Sequence, residues 1–475
     1  MLFNQINKNE KKIAIYLNEN NTVVYKDLIK EADFFLKNIK ERNLVILIAE
    51  NNIETIFAYF ALMKSDNVIM ILDSNTKNND IKIIIERYSP GYIYCSKKIA
   101  KFIYKYNFKK IFSFLKFDLL KSKSIRKYEI FKDLKILMST SGSLGEPKFV
   151  KLSNTNLKTN TESIISYLKL NFLDRTITTM PMSYSYGLSV INTHLLCGAS
   201  IVLNNRSIVD KSFWKLYSDT SPSNINGVPF FYNLLLRIGL DRILNPNLRF
   251  ITQAGGRLSK NSFEKIFKET FENNIKFFLM YGQTEASPRI SYHQAEKEDL
   301  KLKNLPIGKA VPGGEILIKN EKKEIVTDNN IDGDLYYRGK NIFGGYSKSF
   351  KDLDKFTFLN ELETGDIGYR NLRGNFFITG RKSRFIKVYG YRLNLDYIEE
   401  KINNDESNQV ACVGFQDILY IFSKKIIVDL EKFVILPKDS FKIIIIKEFP
   451  LNSNGKISYK ELIKKIIRNF KQVKN

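Results

Sequence analysis

Cysteine and histidine are scarce in this chain of 475 residues. The three cysteines, Cys95, Cys197 and Cys412, are scattered, odd in number and form no CxxC pair. This argues against a disulfide scaffold and a cysteine zinc site, and it favours a reducing cytoplasm. The two histidines, His194 and His293, exclude a histidine-rich metal site and argue against a Ser-His-Asp triad.

Long apolar runs are absent as well. Runs such as residues 443–446 are far shorter than the roughly 18–20 residues that span a bilayer. The opening residues 1–12 hold no apolar core after their charges, so they do not resemble a signal peptide. We therefore expect a soluble, cytoplasmic protein without a transmembrane segment.

Acidic residues are outnumbered, since 75 lysines and arginines face 50 aspartates and glutamates and leave a net charge of +25. The lysines are spread along the whole chain, as a codon bias toward A and T would produce, but a basic surface for an acidic partner would give the same charge. No basic arm, recognition-helix motif or RNA-binding signature is present, so we do not expect nucleic-acid binding. An apolar fraction of 44% with 13% aromatic residues can form the cores of about two to four domains.

The first half of the chain alternates short β-rich runs with helical patterns, which is typical of βαβ units around a mainly parallel sheet. Predicted strands are residues 44–49, 67–72, 134–138, 176–180, 200–203, 224–228, 249–253 and 276–280. Predicted helices are residues 53–63, 154–168 and 188–196. The fold class is therefore α/β.

From residue 313 the pattern changes to short strands with turn signals, which predicts a small β-rich subdomain. These strands are residues 314–319, 333–338, 365–369 and 375–379. A polar junction at residues 380–384 precedes a small α+β unit. We predict an N-terminal core over residues 1–381, with the β-rich subdomain at about 313–381, and a small mobile C-terminal lid over residues 382–475.

One candidate site is a turn between two predicted strands that is rich in glycine and hydroxyl groups. Its members are Thr140, Ser141, Gly142, Ser143, Leu144, Gly145, Glu146, Pro147 and Lys148. Backbone N–H groups in such a turn can surround phosphate oxygens, and Lys148 adds a cation. No GxxxxGK[ST] sequence occurs, so this is not a Walker A loop, and taken alone it is more often an ordinary turn.

A second candidate site directly follows the predicted strand 276–280. In open α/β sheets, ligands bind at the carboxyl ends of the strands. Tyr281 can stack on a base, Thr284 can bond a phosphate, and Glu285 can hold Mg²⁺ as a hard oxygen ligand. Further on, the carboxylate of Asp366 suits a pair of ribose hydroxyls, and Lys456 lies in a tight turn near the C-terminus. Each of these residues, taken alone, also fits an ordinary turn or a solvated surface position.

In this order and spacing the motifs resemble those of the adenylate-forming superfamily, the AMP-binding enzymes that include acyl-CoA synthetases, peptide-synthetase adenylation domains and luciferase-like enzymes. The resemblance extends over essentially the whole chain. The segments that also resemble family motifs are residues 22–28, 58–62, 308–313, 333–346 and 386–393. It implies ATP-dependent activation of a small carboxylic acid as an acyl-adenylate, with release of pyrophosphate, and then thioester formation.

The resemblance also implies a role for each matched residue. Glu285 is the Mg²⁺ ligand and Thr284 a phosphate contact, while Lys456 bridges the carboxylate and the α-phosphate. Asp366 and Arg381 hold the ribose, and Gly255, Gly256 and Tyr281 form the adenine slot. The loop residues Thr140, Ser141, Gly142, Ser143, Gly145 and Lys148 hold pyrophosphate, and Lys387 and Gly390 face the pantetheine of coenzyme A or of a carrier protein.

The predicted acid pocket contains Tyr184, Tyr186, Gly187, Val228 and Pro229, which indicates an aromatic-lined, mostly apolar pocket for a fatty, aryl or hydroxylated acid. Relatives that activate amino acids have an aspartate where Gly187 stands, and no carboxylate occurs from residue 176 to 203. Because an unpaired ammonium in a closed pocket costs several kcal/mol of desolvation, we do not expect an α-amino acid as the substrate.

Three positions depart from the family pattern: Leu144 where threonine is usual, Phe149 where glycine is frequent, and Ser383 at the hinge. None of them removes a group that the reaction requires. The leading hypothesis is an acid–thiol ligase. A catalytically reduced homologue that acts as a binding or scaffold protein is the alternative, and the acceptor is either coenzyme A or an acidic acyl carrier protein.

Overall fold

The structure is a computed structural model, and it describes residues 2–4, 6, 11–139, 148–388, 391–403, 409–415, 418–425, 440–451 and 457–472. In these residues no helix combines the length and the apolarity that a membrane crossing needs. The chain divides into two compact units, Met1–Ile316 with Tyr337–Leu362, and Leu317–Tyr336 with Glu363–Asn475. The predicted domain boundary at residue 382 stays a prediction.

The helices of the described residues are α1 Tyr25–Leu36, α2 Ile53–Lys64, α3 Asn78–Tyr88, α4 Lys97–Ile103, α5 Asn154–Leu168, α6 Ser185–Leu196, α7 Lys211–Thr220, α8 Pro229–Ile238, α9 Lys260–Glu272, α10 Leu395–Asn403 and α11 Tyr459–Gln472. The strands of the first half are β1 Ile13–Tyr16, β2 Thr22–Val24, β3 Leu44–Ala49, β4 Val68–Asp73, β5 Tyr92–Ser96, β6 Phe108–Phe114, β7 Phe117–Ser122, β8 Leu134–Ser139, β9 Phe149–Ser153, β10 Arg175–Ile177, β11 Ser200–Val202 and β12 Asn224–Gly227. The later strands are β13 Phe250–Gln253, β14 Lys276–Gly282, β15 Arg289–Gln294, β16 Lys309–Ala310, β17 Gly314–Lys319, β18 Gly333–Gly339, β19 Tyr346–Ser347, β20 Leu362–Arg370, β21 Phe376–Arg381, β22 Phe385–Val388, β23 Tyr391–Asn394, β24 Val410–Phe415, β25 Ile418–Ser423 and β26 Phe441–Ile445.

Two large sheets organise the first unit. One has the strand order β16-β15-β14-β13-β12-β10-β11-β1-β2, and the other has the order β19-β9-β8-β4-β3-β5-β7-β6. Both are parallel at the centre, as in β12, β13 and β14 or β3 and β4, and antiparallel at the edges. The sequence predicted one mainly parallel sheet; the antiparallel edges arise from strands such as β6 and β7, which a short turn joins and which therefore pair side by side.

Helix α2 shows how this unit is packed. All of its residues from Ile53 to Met63 are buried, as expected for a helix that is apolar around its whole circumference. It packs on α1 and on β3 and β4. The Tyr59 hydroxyl donates a 2.6 Å hydrogen bond to Asn192 Oδ1 in α6, so α2 is fixed to the helix that also carries the predicted acid pocket.

Three neighbouring strands of the first sheet end at one edge. Gly227 of β12 pairs with Gln253 of β13, and Gln253 pairs with Leu279 of β14. The loops after these strands carry three sets of predicted site residues: Val228 and Pro229, then Gly255 and Gly256, then Thr284 and Glu285. Because the carboxyl ends of parallel strands meet at one edge, the topology brings these sets together.

The second unit contains a sheet of order β17-β18-β20-β21, the hairpin β22-β23 and a sheet of order β24-β25-β26. The last sheet has an apolar cluster on each face, one with α10 and one with α11. The predicted short strands and the small α+β unit are therefore present, and the predicted α/β fold class is confirmed.

Candidate functional site

The turn after β14 positions Thr284 and Glu285. Gly282 ends the strand opposite Arg289, with an irregular register between Tyr281 and Gly282. A Cβ on Gly282 would lie 1.9 Å from the Pro288 carbonyl oxygen, so only glycine allows the two strands to approach this closely. The chain then turns through a short 3-10 helix over Thr284–Ala286.

Glu285 is held by Tyr346, which lies more than sixty residues further along the chain. The Tyr346 hydroxyl donates a 2.8 Å hydrogen bond to Glu285 Oε1, and the Glu285 carbonyl accepts a 2.9 Å bond from Phe343 N. Burial and the charge of Glu285 both raise the pKa of Tyr346, so its hydroxyl keeps the proton that it donates. Tyr346 ends the segment 333–346 that resembles a family motif, but the sequence alone indicates no role for it.

The Lys148 ammonium lies over the ring face of the same tyrosine. Its Nζ lies 3.9 Å from the centroid of the Tyr346 ring, a cation–π geometry. The cause is topological: β19 pairs with β9, with Tyr346 opposite Val150, and Lys148 directly precedes β9. Tyr346 thus contacts a cation, Lys148, with its ring face and a carboxylate, Glu285, with its hydroxyl.

Thr284, the neighbour of Glu285, contacts the predicted acid pocket. Its hydroxyl lies 3.2 Å from that of Ser185, the first residue of α6, and the preceding residue is Tyr184. A Cβ on Gly255 would lie 2.5 Å from the Tyr184 hydroxyl and 3.3 Å from a Val228 methyl carbon. Gly255 also has a φ of +84°, so glycine is required there for both space and conformation.

The other pocket residues lie around this contact. Gly256 lies against Pro229, whose ring would be 3.3 Å from an added Cβ, and Pro229 is the first residue of α8. The Tyr184 and Tyr186 rings meet edge to face with centroids 6.4 Å apart. A Cβ on Gly187 would lie 2.4 Å from the Pro181 carbonyl oxygen, so this position has no room for a side chain.

A further cation, which no sequence motif predicted, lies beside this pocket. The Arg289 guanidinium lies 4.8 Å from the centroid of the Tyr186 ring and is buried. The only sequence signal for it was its place just after the Glu285 turn, because nothing in the sequence distinguishes a buried arginine from the many exposed basic residues.

Asp366 and Arg381 belong to the second unit, where β20 and β21 pair them. Arg381 Nε donates a 3.0 Å hydrogen bond to Asp366 Oδ1. The Asp366 carboxylate is buried and the Arg381 side chain is exposed. Asp366 and Arg381 are therefore bonded to each other. Their predicted role in binding the ribose stays a prediction.

Several predicted site residues lie outside the described residues: Thr140, Ser141, Gly142, Ser143, Gly145, Gly390 and Lys456. The backbone of Lys387 pairs with Arg392 in the hairpin β22-β23. The roles predicted for all these residues stay predictions.

The comparison with protein families agrees with the motif order. The family model described as AMP-binding enzyme matches residues 2–347, which is well over half of the chain. This chain belongs to the AMP-binding enzyme family. The predicted family is thus confirmed, and AMP-binding enzymes include ligases of the acyl-CoA synthetase and carrier-protein type.

Among curated AMP-binding enzymes, the chain is 25% identical to an acyl-CoA synthetase, ALT10, of Alternaria alternata, over 60% of this chain and 54% of that protein. It is 24% identical to a D-alanine–D-alanyl carrier protein ligase of Lactococcus lactis, over 97% of both. Several other curated relatives are matched over only about half to two thirds of their length.

Among solved structures, MatB of Rhodopseudomonas palustris with bound ATP superposes with a TM-score of 0.77, at 19% identity and 97% coverage of both chains. The O-succinylbenzoate coenzyme A synthetase of Bacillus subtilis, in complex with ATP and magnesium ion, gives 0.74, at 18% identity and 94% and 95% coverage. These likenesses show that the fold is that of AMP-binding enzymes.

Proposed function

We propose that this chain joins a small carboxylic acid to a thiol in two steps. In the first, a carboxylate oxygen bonds to the α-phosphorus of ATP, the bond from that phosphorus to the bridging oxygen breaks, and an acyl-adenylate and pyrophosphate result. In the second, a thiol loses its proton, its sulfur bonds to the acyl carbon, and the carbon–oxygen bond to AMP breaks.

The contacts of Tyr346 with Lys148 and Glu285 support this proposal. The first step brings an anion against a polyanion, so positive charge has to be held where the transition state concentrates negative charge. Lys148 supplies one cation. Glu285 supplies a hard carboxylate oxygen, and its Oε1 is oriented by Tyr346, which fits an Mg²⁺ ion that takes few protein ligands and several phosphate oxygens. Bound Mg²⁺ would neutralise phosphate charge.

The remaining roles are proposed with it. Asp366 accepts hydrogen bonds from the ribose hydroxyls, and Arg381 holds that carboxylate. Gly255, Gly256 and Tyr281 border the adenine, Thr284 bonds a phosphate, and Lys456 bridges the acid and the α-phosphate. The pyrophosphate loop contains Thr140, Ser141, Gly142, Ser143, Gly145 and Lys148.

Two acceptors are proposed for the acyl group, coenzyme A and the phosphopantetheine of a carrier protein. Relatives of both kinds occur, since one is named an acyl-CoA synthetase and another a carrier protein ligase. The net charge of +25 supports an acidic carrier protein, because long-range attraction speeds the encounter of oppositely charged surfaces.

Exchange of labelled pyrophosphate into ATP, measured across a panel of carboxylic acids, tests the first step. We expect exchange that depends on both an acid and Mg²⁺. In Glu285→Gln the Mg²⁺ titration should move to higher concentration, since a neutral amide is a poorer ligand for a hard cation. ATP binding without exchange for any acid would instead favour a binding or scaffold protein.

A further inference from the structure

Arg289 is a buried cation that lies against Tyr186, one of the residues of the predicted acid pocket. The residue keeps only 2% of its surface exposed. Its guanidinium lies 4.8 Å from the Tyr186 ring centroid and interacts with the Tyr167 hydroxyl. Tyr167 is itself fixed by a ring stack on Tyr292, with centroids 4.0 Å apart. The cation therefore lies beside two buried tyrosines, Tyr186 and Tyr167.

The backbone of Arg289 is held firmly. Its N–H donates to Asn160 Oδ1 at 3.2 Å, and its carbonyl accepts from Asn160 Nδ2 at 2.9 Å and from Asn341 Nδ2 at 3.0 Å. Both asparagines are buried. Because these bonds fix its backbone, Arg289 cannot easily move its side chain to solvent. The charge is therefore preorganised in the interior.

No carboxylate neutralises this charge in the part of the chain that the structure describes. Arg289 forms no ion pair there, and its Nε has no hydrogen-bond partner. Two other arginines are paired with carboxylates: Arg249 with Asp174 at 2.8 Å and Arg384 with Asp396 at 2.7 Å. A buried charge without a counterion is costly, and such groups are normally paired with an opposite charge or bound to a ligand.

The place of Arg289 indicates which ligand would pair with it. In the β14–β15 ladder it lies opposite Gly282, two residues before Thr284, and its guanidinium lies against Tyr186, the neighbour of Gly187. It therefore lies between the turn that carries Glu285 and the pocket proposed for the acid.

We propose that Arg289 binds a second carboxylate of the acid substrate, so that the enzyme prefers dicarboxylic acids to monocarboxylic acids. The proposal rests on the proposed function and specifies its substrate class. A guanidinium suits this task, because it donates two parallel hydrogen bonds to one carboxylate. With Arg289 the proposed pocket contains a positive charge, whereas the tyrosines, Val228 and Pro229 by themselves indicate a mostly apolar pocket.

The first test uses the unaltered enzyme. Pyrophosphate exchange is measured with malonate, succinate and glutarate and with the monomethyl ester of each, which has nearly the same shape but one charge fewer. We expect at least one diacid to exceed its own ester about 10- to 100-fold in kcat/KM, the range that one charged hydrogen-bonded pair provides. Equal exchange with diacids and esters, or a preference for the esters, would overturn the inference alone. Absence of exchange with every acid, including simple monocarboxylic ones, would overturn the proposed function and the inference with it.

The second test changes the cation. Arg289→Met keeps a long side chain against the Tyr186 ring and removes the charge, so the ratio of diacid to ester should fall toward one. Arg289→Lys keeps a charge and should retain part of the preference. A purely structural arginine would lower exchange with both acids equally and leave the ratio unchanged, which would contradict the proposal.

Arg175→Met is the matched control. Arg175 also stacks on a tyrosine, with its guanidinium 4.1 Å from the Tyr16 ring centroid, and its Nε is also buried without a partner. It begins β10, at the amino end of the parallel strands, away from the pocket edge. The control should keep the diacid preference. If Arg289→Met does not fold, as thermal unfolding would reveal, the comparison of diacids with their esters decides alone.

Discussion

The Tyr346 hydroxyl donates a 2.8 Å hydrogen bond to Glu285 Oε1, while the ring of the same tyrosine receives the Lys148 ammonium at 3.9 Å. One side chain thus orients the proposed Mg²⁺ ligand and the proposed phosphate cation together. The loss of a group that orients a metal ligand typically lowers metal affinity or activity about 10- to 100-fold. This relationship leads to the first prediction.

Tyr346→Phe should retain the ring against Lys148 and lose the bond to Glu285. We expect the Mg²⁺ requirement for pyrophosphate exchange to rise about tenfold, within the 10- to 100-fold range for the loss of such an orienting group. Tyr336→Phe is the control, because that hydroxyl bonds Lys323 rather than a proposed ligand. Superimposable Mg²⁺ titrations for the enzyme and Tyr346→Phe would refute the role of Tyr346.

Gly187 should tolerate no side chain. Because an added Cβ would lie 2.4 Å from the backbone oxygen of Pro181, Gly187→Ala should lose about 1–3 kcal/mol of stability, the usual cost of overpacking. Gly256→Ala, whose Cβ would meet only the Pro229 ring at 3.3 Å, should lose less. Thermal unfolding of both variants provides the comparison, and equal melting temperatures would contradict it.

Amino acids should be poor substrates. The pocket has no aspartate at position 187 and no space for one, so a substrate ammonium would be desolvated without a counterion. The measurement is pyrophosphate exchange with the common amino acids beside simple carboxylic acids. Stronger exchange with any amino acid would show that the ammonium is recognised elsewhere.

Lys456 should act in the first step only. This expectation rests on the family resemblance, in which the small C-terminal domain moves between the two half-reactions. We expect Lys456→Ala to lower adenylate formation about 10²–10³-fold, the usual effect of removing one preorganised charge contact. Thioester formation from supplied acyl-adenylate should be nearly unchanged. Equal losses in both half-reactions would argue against two conformations.

His194 should make the fold sensitive to acid. Burial lowers the pKa of His194 to about 4. Its Nδ1 lies 2.8 Å from the Val190 carbonyl and its Nε2 3.0 Å from Asn224 Nδ2, an arrangement that a neutral imidazole satisfies with one donor and one acceptor. The unfolded chain binds this proton near pH 6.5, so stability present above pH 6.5 is lost as the pH falls toward 4, up to about 3 kcal/mol.

The check is the melting temperature from pH 7 to pH 4.5 for the enzyme and for His194→Gln. The glutamine amide does not titrate, so the variant should start less stable and lose less stability as the pH falls. Parallel curves would mean that other groups cause the acid sensitivity.

The family, the α/β class and most elements of the first half were predictable from sequence. The predicted strand 44–49 and helix 154–168 coincide with β3 and α5. Helix α5 begins at Asn154 because Ser153 and Asn156 cap it reciprocally, at 3.0 and 2.9 Å, and such signals are local. Glu285, Asp366 and their motifs were recognisable for the same reason: each is a short pattern next to a strand or turn.

The partners of those motifs were decided by tertiary structure. Tyr346 reaches Glu285 and Lys148 only because β19 pairs with β9, and no local pattern encodes that long-range pairing. The absence of space at Gly187 depends on the path of the Pro181 backbone. Among 75 basic residues, Arg289 differs from the exposed ones through its burial against the Tyr186 ring, with no ion pair to a carboxylate in the described part of the chain. Burial and pairing depend on the whole packed chain, because the energy of a charge is set by every group and every water molecule around it.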